Sequence, residues 1–335
     1  MMHHSSRSKF LAIAIMTAFL LGTGVGVTWA ATRLELSNQF PPSHYISKGM
    51  EFFAKKVSEY SNGAVEVKLF HAAQLYKDTE IVEAIQEGLI PAGLVPVNKW
   101  SGMIPAADVF EVPFIFTDLS SIKKFLDAGA AELFDNEFQK RGAKTLMWVD
   151  LGYVQFWNNK RPLTKPQDFK GLKMRSFSSS DADTLTTLGA SPVVMSSSEV
   201  YMAMQRGTVD GGTTGWPAAV SRKLIEVQKF VTEANYATPQ FVMQASLKWW
   251  QKLQKNEQDA ILKAGRDTEE WIRQAIAKSE GDAQKVAQKA GVQIHSLNPE
   301  SRAAFMKATE PVQKRFIEKS GPLGKKLVDI AISLK

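Results

Sequence analysis

Two stretches of fourteen residues can be laid on one another without a gap: Glu80-Ile-Val-Glu-Ala-Ile-Gln-Glu-Gly-Leu-Ile-Pro-Ala-Gly93 and Glu199-Val-Tyr-Met-Ala-Met-Gln-Arg-Gly-Thr-Val-Asp-Gly-Gly212. Glutamate, alanine, glutamine and two glycines coincide, five positions of fourteen, and most other pairs keep their apolar or polar character. Each copy reads as a helix, a glycine that stops it and a short extended segment opening into a loop. A chain that repeats such a unit folds most simply as two related lobes presenting equivalent loops to a shared cleft. Chance likeness between two amphipathic helices is the alternative.

The segments around each copy point to α/β lobes. Arg33-Leu34-Glu35-Leu36 alternates as a strand, Met50, Phe53, Ala54 and Val57 fall on one helical face after the Pro41-Pro42 turn, and Asn62-Gly63 ends that helix. Val65, Val67 and Leu69 alternate again, Ile81, Ala84 and Ile85 mark a helix stopped by Gly88, and Ala92 to Val97 is strand-like. The order then resumes. Lys144 to Asp150 and Gly152 to Asn158 are extended, Lys173 to Phe177 is a strand, Asp181 to Leu188 a helix ended by Gly189, and Val193-Val194-Met195 another strand. Such a βαβα order implies sheets flanked by helices. Phe241 to Ser246 reads as one more strand. From Leu247 to about Ala290 there is no proline, and Ile261, Leu262, Trp271, Ile272, Ala275 and Ile276 form an interrupted apolar stripe. A long, partly broken helix is expected there, followed by helical segments through Phe305, Val312, Phe316 and Leu327.

The first thirty residues stand apart from this pattern. Arg7 and Lys9 precede an uncharged stretch from Phe10 to Ala31 that ends in small residues, the pattern of a secretory signal peptide cut after Ala30. An uncleaved membrane anchor is the alternative, because ~20 apolar residues span a bilayer. Without Arg7 and Lys9 the formal charge of +7 becomes about +5, with 39 basic against 34 acidic residues. The 335 residues predict about two domains at ~100–200 residues each. The chain has no cysteine, so disulfides, thiolate metal sites, cysteine nucleophiles and a lipid-anchoring cysteine are all excluded. Export without cysteine places the mature protein in the periplasm, where it diffuses freely.

No Gly-x-Ser-x-Gly elbow, His-Glu-x-x-His pair or Walker A loop occurs, so neither catalytic residues nor a cofactor are expected. His44, His71 and His295 are widely separated and lack carboxylates at ligand spacing, so no metal site is expected. The lysines are spread through amphipathic helices without a basic run, which argues against nucleic acid despite a sequence pI near 9.3.

The segment from Asp168 to Phe177 carries Arg175 inside a strand with apolar neighbours Leu172, Met174 and Phe177. Its guanidinium should emerge near the strand end, in a surface ion pair or in a ligand site. Downstream come the hydroxyl-rich Ser196-Ser197-Ser198-Glu199-Val200-Tyr201 and the glycine and threonine loop from Gly207 to Pro217, with Thr213, Thr214 and Trp216. Backbone amides, hydroxyls, an aromatic face and a guanidinium together suit a small anion.

Lys-Gly-Leu-Lys-Met-Arg175, Leu-Gly-Ala-Ser-Pro192, Ser-Glu-Val-Tyr201 and Gln-Arg-Gly-Thr-Val-Asp-Gly211 resemble the signature of the solute-binding proteins of tripartite ATP-independent periplasmic (TRAP) transporters, the dicarboxylate-binding DctP-type family. The likeness runs over the whole mature chain, including Gln74-Leu75 and Val112-Pro113-Phe114. It implies a two-lobed α/β clamp, each lobe a sheet flanked by helices, bridged by the long C-terminal helix. On this reading residues 31–152 and 240–280 form lobe I and residues 153–239 and 281–335 form lobe II.

The resemblance also implies that the clamp closes on an organic acid and that Arg175 pairs with the ligand carboxylate. The receptor, expected to be monomeric, would hand its ligand to a permease of large and small membrane subunits. Where sialic-acid-binding relatives carry a second arginine this chain has Gln155, the asparagine often found after the Val-Asp-Gly turn corresponds to Thr214, and Ser197 replaces a common aromatic. Sialic acid is therefore a poor candidate. Gln155, Thr213, Thr214 and Ser197 are expected polar contacts, while Trp216 and Phe241 either wall the pocket or pack in the core. From the first lobe Lys77, Asp78, Asn98 and Trp100 lie in loops where the fold places the cleft. A sensory receptor, or less readily an envelope enzyme on the same fold, is the rival reading.

Overall fold

The computed structural model of the chain describes residues 31–334 except Thr117. The expected signal peptide lies outside the described residues. The strands are β1 (Thr32–Ser37), β2 (Val65–Phe70), β3 (Ala92–Pro96), β4 (Ala143–Asp150), β5 (Gln155–Asn158), β6 (Lys173–Ser176), β7 (Ser191–Val194), β8 (Gly211–Thr214), β9 (Phe230–Glu233), β10 (Gln240–Ser246) and β11 (Gln293–Ser296). The helices are α1 (Tyr45–Tyr60), α2 (Ile81–Glu87), α3 (Leu119–Phe125), α4 (Ala131–Gln139), α5 (Ser179–Thr187), α6 (Val200–Gln205), α7 (Trp216–Ser221), α8 (Leu247–Trp250), α9 (Lys255–Lys289) and α10 (Pro299–Ser333).

Two sheets result, ordered β2-β1-β3-β10-β4 and β11-β9-β5-β8-β6-β7. In the first, β1 runs parallel to β2 and β3, while β10 arrives from far along the chain and pairs antiparallel with β3 and β4. In the second, β6 is parallel to β7 and β8, and β5 is antiparallel to β8 and β9. Two-residue alternation explains β1, where Leu34 and Leu36 are buried and Arg33 is exposed. Helical spacing explains α1, whose buried Met50, Phe53 and Val57 pack in the lobe I core with Ile272 and Ile276 of α9. Such a side chain contributes roughly 1.5–3 kcal/mol on burial.

The internal repeat is visible in the backbone. Gly88 and Gly207 both follow their helices with positive φ, 76° and 68°, a conformation that favours glycine. The repeat's final glycines also serve packing. A Cβ at Gly93 would come within 2.5 Å of Ile81 Cδ1, and one at Gly212 within 3.0 Å of Arg175 Cβ. The two copies therefore feed β3 of the first sheet and β8 of the second.

The chain crosses between lobes at residues 151–154 and 234–239, and both long helices span them. Ile261 and Ile272 of α9 lie in the lobe I core, whereas Ala283 and Ala287 pack under the second sheet. In α10, Phe305 packs in lobe II, but Phe316, Leu327, Val328 and Ala331 join the lobe I core beyond. The expectation that residues 281–335 all belong to lobe II is corrected here. Phe316 already packs on lobe I ahead of Gly321, at φ 60° and ψ −148°, which with Pro322 breaks α10 before Leu327, Val328 and Ala331 continue on the same lobe.

Candidate binding site

The ends of β3 and β8, the loops after β6 and β7, and the two crossings enclose a cavity of about 40 Å³, traced by the centre of a water-sized sphere. Lobe I supplies Gln39, Phe40, Asp78, Asn98, Lys99 and Phe241; lobe II supplies Arg175, Phe177, Ser197, Thr213, Thr214 and Arg222.

Arg175 sits on β6 opposite Gly212 of β8 and Val193 of β7, so its side chain rises between two partner strands. Its guanidinium is held on several sides. Nη1 donates to the Thr213 carbonyl at 3.1 Å, Nη2 to the Met195 carbonyl at 3.1 Å and to Ser197 Oγ at 3.0 Å, and Nε to the Met195 carbonyl at 3.3 Å. Burial lowers its pKa, and Asp78 and Asp181 work against that shift.

Arg222, at the C-terminal end of α7, reaches the same cavity from another direction. Its guanidinium lies 4.8 Å above the Phe40 ring. Nη2 is buried and has no hydrogen-bond partner among the described residues. Burial, and then the like charge of Arg175, pull its pKa down to about 10, which still leaves it charged at neutral pH. A third cation, Lys99, donates from lobe I to the Phe177 carbonyl of lobe II at 2.8 Å.

Facing these cations is Asp78. It accepts from Ser196 Oγ at 2.5 Å, and from Ser197 Oγ at 3.1 Å and Ser197 N at 3.3 Å, three bonds that join the lobes. Burial pushes its carboxyl up, but Lys99, Ser196, Arg175 and Ser197 together outweigh this and hold it below its ordinary range. Behind Arg175, Asp181 accepts from Thr213 Oγ1 at 2.6 Å and from the Tyr236 hydroxyl at 2.5 Å, which fixes the strand that carries the Thr213 carbonyl.

A sequence model described as bacterial extracellular solute-binding protein, family 7 (DctP), matches residues 36–320. The chain is a member of the DctP family. It is 31% identical to the C4-dicarboxylate-binding periplasmic protein DctP of Rhodobacter capsulatus, over 92% of this chain and 96% of that protein. A TRAP periplasmic solute-binding protein of Sulfurospirillum deleyianum, solved with bound succinate, superposes with a TM-score of 0.87 at 29% identity, covering 92% of this chain and all of that one. A sugar acid binding protein of Advenella mimigardefordensis, in complex with galactonate, shares the fold with a TM-score of 0.88 at 24% identity, covering 91% and 99%. The two-lobed TRAP receptor architecture is thereby established. Among the described residues no helix is long and apolar enough to cross a membrane.

In this DctP-family chain seven of the expected site residues line the cavity: Arg175, Ser197, Thr213, Thr214, Phe241, Asn98 and Asp78. Four do not. Gln155 is fully buried, its amide donating to Asn235 Oδ1 at 2.5 Å and accepting from the Ala234 and Asn235 amides, so it pins the second crossing. Trp216 packs edge-on against Trp157 at 5.0 Å, in the core rather than the pocket wall. Trp100 lies in the lobe I core, where its indole donates to Gln244 Oε1 at 3.0 Å. Lys77 forms an exposed ion pair with Glu199 at 2.8 Å, linking the lobes outside the cavity. Sequence reasoning missed Arg222, Lys99, Phe40, Gln39 and Phe177. Lys99 had a signal, since it lies between two expected residues; Arg222 had none, as a basic residue ending a short helix is commonplace.

Proposed function

We propose that this protein is the periplasmic solute receptor of a TRAP transporter, that it captures a small dicarboxylate, and that it delivers the closed complex to the membrane subunits. The observation that carries the ligand class is the charge on the cavity wall. Of the charged side chains that line it, Arg175, Arg222 and Lys99 are cations and Asp78 is the one anion; Asp181 behind Arg175 and Asp108 and Glu111 behind Lys99 offset part of this excess, whereas Arg222 has Asp78 alone. Arg222 Nη2 in particular is a buried donor without an acceptor, a costly arrangement that an anionic ligand relieves.

Size supports the same reading. A cavity of about 40 Å³ on this measure holds roughly three waters at ~10–15 Å³ each. A four-carbon diacid displaces about that much liquid, whereas a hexuronate is larger and carries one charge. The succinate-bound relative from Sulfurospirillum deleyianum agrees with this choice. Arg175 binds one carboxylate, Arg222 and Lys99 the other, and Asn98 and Thr214 border the ligand, with Phe40 and Phe241 covering its carbon chain. Because Lys99 belongs to lobe I and both arginines to lobe II, a bridging ligand favours the closed state over the open one. Transport rather than signalling is the role that the family supports.

Calorimetric titration with succinate, D-glucuronate and acetate tests this. Succinate should bind at least tenfold more tightly than glucuronate, and acetate weakly. Equal or tighter glucuronate binding would overturn the dicarboxylate assignment while leaving the receptor assignment standing.

A further inference from the structure

Behind the cavity wall lies a buried polar cluster that carboxylate capture does not use. Asp108 and Glu111 sit three residues apart on the 3-10 helix Pro105–Glu111, a spacing that stacks side chains on one face. They are 2% and 1% exposed. Asp108 Oδ1, Glu111 Oε2 and the nearby Asn98 Oδ1 have no hydrogen-bond partner among the described residues, although Asn98 Nδ2 donates to Glu111 Oε1 at 2.8 Å. Three buried acceptor atoms on neighbouring side chains thus lack a donor.

We infer that Asp108 and Glu111 hold one proton between them in the closed clamp, and that closure takes this proton up from solvent. A proton supplies the missing donor. A metal cation suits the place poorly, because Lys99 faces both carboxyls from the segment after β3 and the Lys319 ammonium of α10 lies 4.0 Å from Asp108. From α5, Ser179 Oγ donates to Asp108 Oδ2 at 3.1 Å and Asp181 adds a like charge towards Glu111. Ser101 also hydrogen-bonds Asp108.

The site is tied to closure because one of its walls belongs to lobe II. Ser179 opens α5, and Asp108 floors a groove whose charged walls are Asp183 of α5, paired with Arg315, and Glu318 and Lys319 of α10. Opening that draws α5 away from the 3-10 helix admits water and removes the burial that disfavours two carboxylates. Burial first and Asp108 second raise the Glu111 pKa, and burial brings Asp108 to about 6 against the pull of Lys319, Ser179, Ser101 and Lys99. A carboxyl whose value is higher closed than open binds its proton more tightly closed. Closure therefore becomes easier as pH falls from above 6 towards the ordinary carboxylate range, and levels off at its most favourable once both states are protonated. On the other side Asn98 joins the pair to the ligand cavity, so the proton lies one residue from the bound acid.

Two measurements test this, and only the second rests on the receptor reading. In protein labelled with carbon-13 at its Asp and Glu carboxyls and held shut by a bis-maleimide joining Lys77→Cys to Glu199→Cys across the lobes, with Asp108→Asn and Glu111→Gln used for assignment, one resonance of the pair should titrate above pH 6. Both titrating below pH 6 would overturn the inference. In the second, succinate is titrated calorimetrically at pH 7 in phosphate and in Tris, whose ionisation enthalpies differ. Net proton uptake is expected, reduced at least twofold by Asp108→Asn and kept by Glu280→Gln, which removes a separate titrating group. Uptake unchanged in both Asp108→Asn and Glu111→Gln would also overturn the proposal. Absence of any succinate heat would instead count against the proposed ligand, with the carboxyl titration still deciding the proton.

Discussion

Arg222 offers a prediction in which stability and affinity move in opposite directions. In the closed clamp its guanidinium is desolvated, lies near Arg175 and leaves Nη2 without a partner among the described residues. The drop of its pKa to about 10 corresponds to on the order of 3 kcal/mol held against the charged form. Its stacking on Phe40 returns part of this, ~0.5–2 kcal/mol for a cation over an aromatic face. Arg222→Met keeps the aliphatic packing and removes the charge. The empty protein should then gain about 1–2 kcal/mol and melt roughly 2–4 °C higher at ~2 °C per kcal/mol for a chain of this size. Succinate affinity should fall by ~2–5 kcal/mol, the range for truncating one partner of a buried charge pair, which is roughly 30-fold to over 10³-fold. Differential scanning calorimetry without ligand and isothermal titration with succinate measure the two quantities separately. A variant that melts several degrees lower yet binds succinate within threefold of wild type would show that Arg222 is a structural cation, and the argument from its unpaired nitrogen would fail.

Arg175→Ala should weaken succinate binding by ~3–5 kcal/mol, and Arg175→Lys should restore little of it, because an ammonium cannot reproduce the planar set of bonds to Met195, Thr213 and Ser197 that aims the remaining Nη1 hydrogen into the cavity; calorimetry of both variants decides this. Glu280 accepts from the Tyr153 amide at 2.9 Å beside the first crossing, and burial raises its pKa to about 7. Its folded value lies above the ordinary ~4.3, so its contribution to stability is full below about pH 4, declines as pH rises towards 7 and is flat beyond. The decline should amount to roughly 1–3 kcal/mol, and Glu280→Gln should flatten it; denaturant melts that are already level in the wild type between pH 4.5 and 7 would contradict this. Gly152→Ala should destabilise the protein by more than ~1 kcal/mol in the same melts, since φ is 92° and the new Cβ would collide with Glu280 Oε1. By contrast Lys77→Gln breaks an ion pair that is nearly half exposed at both ends and should change stability by less than ~1 kcal/mol.

What could be read from the sequence divides along a physical line. Alternation at Leu34 and Leu36 and glycine stops at Gly88 and Gly207 are local signals, because backbone conformation and strand periodicity are decided by near neighbours, whereas the neighbours of Arg175 left a surface ion pair open and only the family resemblance pointed it at a ligand. The repeat was legible for the same reason, its coincident glycines meeting requirements for positive φ or close packing. Long-range choices were not. Gln155 is polar on a strand, but its amide is committed to the crossing near Asn235. Trp216 follows a site-lining loop, yet its position at the start of α7 points it into Trp157. Periodicity identified helix around Phe316 and Leu327 but could not say which lobe their apolar face would meet. Arg222 becomes meaningful only once Phe40, from the opposite lobe, supplies the ring on which it rests.

The repeat has a consequence for how the clamp closes. In the register that aligns Glu80 with Glu199, Asp78 matches Ser197, and in the folded chain Ser197 donates to Asp78. Equivalent turns of the two lobes thus touch each other, one having become an anion and the other a donor. Ser197 in turn accepts from Arg175, so closure alone gives Arg175 an indirect partner in Asp78. A ligand with one carboxylate gains less at Arg175 than at a bare guanidinium, because that cation is already partly compensated. The larger gain lies at Arg222, which closure leaves unpaired. Binding energy that distinguishes the closed state must therefore come chiefly from an acid that reaches both arginines at once. The asymmetry between the two repeat turns thereby selects a doubly charged ligand over a singly charged one, in addition to any difference in size.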